Sequence, residues 1–267
     1  MFDLETLEFD RSLVPRGYDP KFKPTLVLFS DGSDLGQCAC AYLVWHMKNG
    51  SFCVTLVSSR TKIASMTKIT TPRSELNGGQ LQTRLKTFLF QVLDIDIGEV
   101  FHIVDASIIL GMIKSISLKF DTYSAPRITE IQTNSDVNNW YWIQTKDNPA
   151  DLGTREKCSI NDLLPGTLWR EGPVWLKQPR DSWPIRSDFK KHAVPGLKKE
   201  FEVLPSVSNL TQLMALSDHV AELNSEKPVI NVSIVKIADS TKQTQKTFPD
   251  VTKIVQIVQL VQIDSRI

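Results

Sequence analysis

The 267-residue chain is 41% apolar and 23% charged, with a formal net charge of +1; this is ordinary globular composition, with room for a sizeable core. So small a net charge excludes a global field that would recruit nucleic acid or membrane, and leaves only local patches to hold a polyanion. The acidic start MFDLETLEFD is not a signal peptide, no stretch reaches the roughly 18 uninterrupted apolar residues of a membrane span, and four cysteines point to a reduced, intracellular setting.

Residues 1–22 read as a polar lead-in with Pro15 and Pro20. Residues 26–30 (LVLFS) form a continuous apolar strand that stops at a bare carboxylate, Asp31, followed by Gly32. Residues 38–47 and 52–58 are two further strands, and the Asn49-Gly50 step between them is a strong hairpin signal. Cys38 and Cys40 would share one face of a strand, with Cys53 on the next. Lacking CxxC spacing and a matching histidine, they read as core packing rather than metal ligands.

The period then changes. Over residues 70–93, Pro72 suits a helix start, and Leu76, Leu81, Leu85, Phe88, Leu89 and Val92 recur at helical spacing. Residues 100–104 (VFHIV) are a buried strand, again ending at an acid, Asp105. Residues 107–116 and 125–133 read as short helices and residues 140–145 as a fifth strand. The Asp147-Asn148-Pro149 turn follows, and residues 150–155 start a helical segment.

This order predicts an α/β domain over residues 23–158, a five-stranded mixed sheet with flanking helices. Residues 159–185 form a Trp/Pro-rich strap in which Trp169, Trp175 and Trp183 pin the chain to the domain. Residues 186–267 are a partly flexible C-terminal extension, whose segment 253–263 (KIVQIVQLVQI) fits a half-buried helix or a strand.

Four acids stand at element ends. If the first and fourth strands are parallel neighbours, Asp31 and Asp105 adjoin, and a helix packed across them lays Glu75 alongside. Asp151 follows the DNP turn. Taken singly, these acids have plainer readings: Asp31 a turn former, Glu75 a charge favoured by the helix dipole, Asp105 an N-cap, Asp151 an acid at a helix start. Taken together they repel unless a cation lies between them. Mg²⁺, a hard ion that takes oxygen ligands and binds phosphate, is the natural one, with Mn²⁺ as an alternative. Two such ions roughly 3.5–4 Å apart can clamp an in-line phosphoryl displacement.

The set LFSDGS, TPRSEL, VDAS, WIQTKDNPADLGTR and LWREGPVWL resembles the ribonuclease H-like segment of BEL/Pao retrotransposon polyproteins, over roughly residues 22–185. There, Asp-Ala-Ser, Pro-Arg-Leu-Glu-Leu, Thr-Asp-Ser and Asn-Pro-Ala-Asp stretches recur in this order. The resemblance implies a ribonuclease H-like fold and hydrolysis of the RNA strand of an RNA/DNA hybrid by a metal-activated water. Asp31, Glu75, Asp105 and Asp151 would be the carboxylates that bind two Mg²⁺ ions. It also implies reverse transcriptase and integrase regions as partners, and a cytoplasmic, particle-associated or nuclear location. Residues 59–62 are similar to a basic run before the helix, and residues 125–128 to an Asn-Arg-Val stretch. Gly32 stands in place of a small alanine, which reads as harmless. Ser74 replaces an apolar residue, and Ala106 and Ser107 replace the usual pair after Asp105. No zinc module of an integrase follows and no reverse-transcriptase motif precedes.

Two other readings stay open: a non-catalytic nucleic-acid-binding or connection module, and an aspartic peptidase, as the family segment is sometimes described. A peptidase needs paired Asp-Thr/Ser-Gly loops, and here the order is Asp31-Gly32-Ser33 with no second copy. No histidine forms a triad with a serine or cysteine nucleophile.

For holding a duplex, residues 58–86 carry Arg60, Lys62, Lys68, Arg73, Arg84 and Lys86 against Glu75 alone, a local excess of five positive charges. Arg60, Lys62 and Arg73 are candidate phosphate contacts, and Arg127 and Arg155 lie near the expected cleft.

Overall fold

The computed structural model describes residue 9 and residues 12–188, apart from residues 65, 66, 68, 116, 118 and 119. Five strands, β1 (Thr25–Gly32), β2 (Gly36–His46), β3 (Phe52–Ile63), β4 (Glu99–Val104) and β5 (Trp140–Trp142), form one sheet in the order β3-β2-β1-β4-β5. β1, β2 and β3 are antiparallel neighbours, whereas β4 runs parallel to both β1 and β5. The sheet is therefore mixed and five-stranded, as the element order predicts. Helices α1 (Thr71–Val92), α2 (Ser107–Ile113), α3 (Ser124–Asn134) and the one-turn α4 (Leu168–Glu171) complete it. Among the described residues, no helix is long and apolar enough to cross a membrane.

Alternation along the strands builds two cores. Leu26, Leu28, Ala39, Ala41 and Leu43 meet Leu85 and Leu89 of α1. Beside them, α2 and α3 bury Ile109, Leu110, Ile128 and Ile131 around Trp140. Val27, Phe29, Cys38, Cys40, Tyr42, Phe101 and Ile103 point to the other face, which no long helix of the described residues covers. Trp169, Trp175 and Trp183 close it, and the Tyr42 hydroxyl donates to the Trp169 carbonyl at 2.7 Å. Burying several aromatic rings on one sheet face offsets the entropy of ordering so irregular a segment. α1 is tied to β1 by a buried polar link as well. The Ser30 hydroxyl donates to Gln82 Oε1 at 2.7 Å, and Gln82 Nε2 donates to the Leu28 carbonyl at 2.8 Å.

Several sequence expectations shift at their edges. β1 continues through Asp31 and Gly32, which pair with Cys38 and Gln37 of β2, so the acid sits inside the ladder rather than after it. β3 runs on to Ile63, because Ser59, Arg60, Thr61 and Lys62 pair with β2; the basic run is strand, not loop. β5 ends at Trp142, opposite the end of β4, and residues 145–147 turn instead as a 3₁₀ segment. Residues 150–155 fall in a second 3₁₀ segment, Pro149–Thr154, rather than an α-helix. Cys53 lies opposite Trp45, on the face away from Cys38 and Cys40. Its thiol is therefore no partner for theirs. Lys68 and the 253–263 tail lie outside the described residues.

Candidate metal centre

Three elements deliver the carboxylates. Parallel pairing brings Ser30 opposite Val104, so the next residue on each strand, Asp31 and Asp105, ends up side by side. Glu75 is the fifth residue of α1, where the first turn passes into the second. That turn is set down on the end of β1 by close backbone packing. A Cβ at Gly32 would collide with the backbone of Ser74, and one at Gly78 would stand 2.7 Å from the Asp31 carbonyl oxygen. The Gly32 that reads as a harmless replacement for alanine is thus required by this approach of helix to strand. Ser74, another of the departures, is fully buried. Its hydroxyl donates to the Ser33 carbonyl at 2.6 Å and accepts from Gln37 Nε2 at 3.1 Å. It pins the helix start to the β1–β2 turn, a role an apolar residue could not fill. As a result, one oxygen each of Asp31, Glu75 and Asp105 lies within 4.8 Å of the others.

Such crowding shows in the proton equilibria. Burial pushes the Asp31 carboxyl up to about 6, opposed by a hydrogen bond from Thr154 and reinforced by the negative charges of Asp105 and Asp151. Glu75 is pushed up to about 9, by burial first and then by Asp31 and Asp105. Burial likewise raises Asp105, whose Oδ1 is buried without a hydrogen-bond partner. Each acid resists ionisation here, and an oxygen lone pair is left open. A hard divalent cation remedies both, so the donor set fits Mg²⁺.

The segment after the DNP turn clamps the end of β1 from the other side. Asn148, 1% exposed, donates from Nδ2 to the Ser30 carbonyl at 3.0 Å and accepts from the Ala150 N–H at 3.1 Å. The Thr154 hydroxyl donates to Asp31 Oδ2, and the Ser33 hydroxyl donates to the Thr154 carbonyl at 2.9 Å. Asp151, carried on this segment, stands apart from the close trio. Its charge raises all three acids, but its Oδ2 accepts from Arg155 Nε at 2.6 Å. Asn148, Thr154 and Ser33 are not site candidates in the sequence, and Ser74 stands out there only as a departure from the family pattern. Only Asn148 carried a signal, as part of a turn.

The basic candidates fare unevenly. Arg73 is engaged with Asp121 at 2.5 Å and lies over the Tyr123 ring at 4.8 Å. Arg127 stacks on the same ring at 3.7 Å and donates from Nε to Asn77 Oδ1 at 2.8 Å. Arg84 pairs with Glu130 at 2.5 Å, and Arg155 with Asp151. Arg60 lies over Phe88, and Lys62 is exposed on β3. The expected excess of five positive charges is therefore reduced, since Asp121 and Glu130 of later elements neutralise two of the six.

Residues 1–106 match the family described as Pao retrotransposon-like RNaseH-like domain. No curated protein matches the chain. Among solved structures, the N-terminal RNase H domain of Rv2228c from Mycobacterium tuberculosis, fused to maltose-binding protein, is 12% identical; 47% of this chain and 86% of that one are covered, with a TM-score of 0.33. RNase H1 from Halobacterium salinarum is 11% identical over 47% of this chain and 88% of that one, with a TM-score of 0.27. The NurA nuclease from Sulfolobus solfataricus is 14% identical over 46% and 47%, with a TM-score of 0.24.

Proposed function

We propose that this ribonuclease H-like α/β fold, whose residues 1–106 are a Pao retrotransposon-like segment, hydrolyses the RNA strand of RNA/DNA hybrids. The observation that carries the reading is the meeting of Asp31, Glu75 and Asp105, from three separate elements, within 4.8 Å. Mg²⁺ held by these carboxylates, with Asp151 completing a second position, would neutralise phosphate charge and acidify a water.

The chain's own residues have definable tasks. Asp31 is fixed by the β1–β2 ladder and by the Thr154 hydroxyl, so its carboxylate cannot swing away when charge builds up nearby. Asp105 keeps Oδ1 free of protein donors. Asp151 has to exchange its pair with Arg155, a half-exposed contact of a kind worth about 0.2–1 kcal/mol. Once released, Arg155 is free to meet a phosphate. Arg73 and Arg127, braced on the two ends of one Tyr123–Asp121 corner, offer rigid guanidinium groups beside the start of α1, suited to backbone contacts that carry no sequence information.

A comparison of substrates tests the reading. With Mg²⁺, a labelled RNA/DNA hybrid should be cut in its RNA strand, and duplex DNA of the same sequence should stay intact, since 2′-hydroxyls and duplex shape distinguish them. Equal cutting of both, or of neither, would contradict it.

A further inference from the structure

We infer that the outer face of the C-terminal half of α1, with Arg60 of β3 beside it, is a second nucleic-acid contact that takes a single strand leaving the duplex. The inference rests on the reading of the chain as a hybrid-cutting nuclease, and it concerns a surface remote from the carboxylates. Phe88 is thirteen residues beyond Glu75 on α1, about 20 Å along the helix axis; that is the span of about six stacked nucleotides.

Two adjoining hollows lie along this face, sharing Thr87, Gln91 and Asn134. Phe88 and Phe90 are 37% and 49% exposed. Each ring carries a cation. The Arg60 guanidinium stands 4.4 Å over Phe88, and the Lys86 ammonium 5.0 Å over Phe90. Neither cation is in an ion pair among the described residues. Lys86 donates to the neutral Asn134 carbonyl at 3.0 Å. Burial lowers the pKa of both, as expected of half-buried charges without a counter-ion. The acids on the same face are already engaged. Glu130 is held by Arg84 and Gln80 at 2.5 Å each, and Asp136 accepts the Asn138 N–H at 2.9 Å.

Unpaired cations set against exposed rings match the chemistry of a single strand, with phosphates to the cations and bases against the aromatic surface. A duplex would hide its base faces and leave the rings unused. An acidic peptide would meet the cations but would not need two rings 49% and 37% open to solvent.

Fluorescence anisotropy in EDTA, where cleavage plays no part, tests this on the full chain. The probes are a blunt 12-base-pair RNA/DNA hybrid and the same hybrid with an eight-nucleotide single-stranded overhang. The overhang should tighten binding at least tenfold. The Arg60→Gln/Lys86→Gln double variant should lose that advantage and lower the log–log salt slope by about 1.4, at about 0.7 per phosphate contact. Phe90→Ala should weaken overhang binding several-fold with its salt slope unchanged. An overhang that confers no advantage, or one that survives the double variant, would overturn the inference, including the case in which this face takes an acidic peptide. Overhang-dependent binding by a chain that cuts nothing in Mg²⁺ would uphold this contact and remove the nuclease reading alone.

Discussion

Gly78 of α1 packs so closely on β1 that a Cβ there would stand 2.7 Å from the carbonyl oxygen of Asp31. The two residues fix the height of the helix above the strand, and Glu75 sits one turn earlier on that helix. In an ordinary helix interior, Gly→Ala stabilises by about 1 kcal/mol. Here Gly78→Ala should instead destabilise by about 1–3 kcal/mol through overpacking, and should slow cleavage by lifting Glu75 off the cluster. Thermal unfolding and a cleavage rate measure both. A raised melting temperature would show that the helix can retreat at no cost.

The carboxylate cluster makes stability depend on pH in the metal-free protein. Asp31 and Glu75 titrate near 6 and 9 when folded, above their ordinary values, so the folded chain holds protons that the unfolded chain releases. That contribution is full below about pH 4 and is lost as pH rises through 6 and then 9. His102 acts in the opposite sense. Burial lowers its imidazole to about 3, so its contribution is present above about pH 6.5 and fades as pH falls towards 3. Above pH 6.5 the acids set the slope, and towards pH 9 the thiols of Cys38, pushed up to about 12, and Cys158, pushed up to about 11, add a smaller decline of the same sign. The melting temperature in EDTA should therefore fall steadily from pH 6.5 to 9, and saturating Mg²⁺ should flatten the decline. A flat profile in EDTA would mean the three acids do not share one site.

Glu75→Gln separates stability from function. At pH 8 the metal-free fold has to hold Glu75 protonated, so a neutral amide there should raise the metal-free melting temperature, while abolishing cleavage and most of the Mg²⁺-dependent stabilisation. A variant that melts lower in EDTA and still responds fully to Mg²⁺ would place Glu75 outside the metal site.

Thr154 acts through Asp31. Its hydroxyl opposes the effect of burial on that carboxyl, so Thr154→Val should push Asp31 higher still. The alkaline shift should appear in the pH dependence of cleavage, with the acidic limb moving up by about 1–2 units, the size expected of one hydrogen bond to a charged group. Thr154→Ser should restore the original profile. An identical profile in the valine variant would mean the contact is structural only.

Much of this architecture could be read from the chain because its signals are local. The apolar run before Asp31, the helical spacing of Leu76, Leu85 and Leu89, and the Asn49-Gly50 turn each report on their own surroundings. β3 was underestimated because Ser59, Arg60, Thr61 and Lys62 look like a polar loop, yet they pair with β2 at the edge of the sheet, where polar side chains are tolerated. The trio of acids was legible from the order of elements. Its support was not: Thr154 meets Asp31, and Ser74 meets Ser33, across 123 and 41 residues of sequence. The charge of the basic stretch was misjudged for the same reason, because the partners of Arg73 and Arg84 lie 48 and 46 residues away.

The central claim is that Asp31, Glu75 and Asp105 form one metal-dependent hydrolytic centre. Its most direct test is cleavage of a labelled RNA/DNA hybrid by the purified chain in Mg²⁺ and in EDTA, beside the Asp31→Asn variant. The account predicts cutting by the native chain in Mg²⁺ alone, with none by the variant although it still binds the hybrid. Cutting that survives EDTA or the loss of Asp31 would contradict it, as would an intact hybrid in every lane from a folded protein.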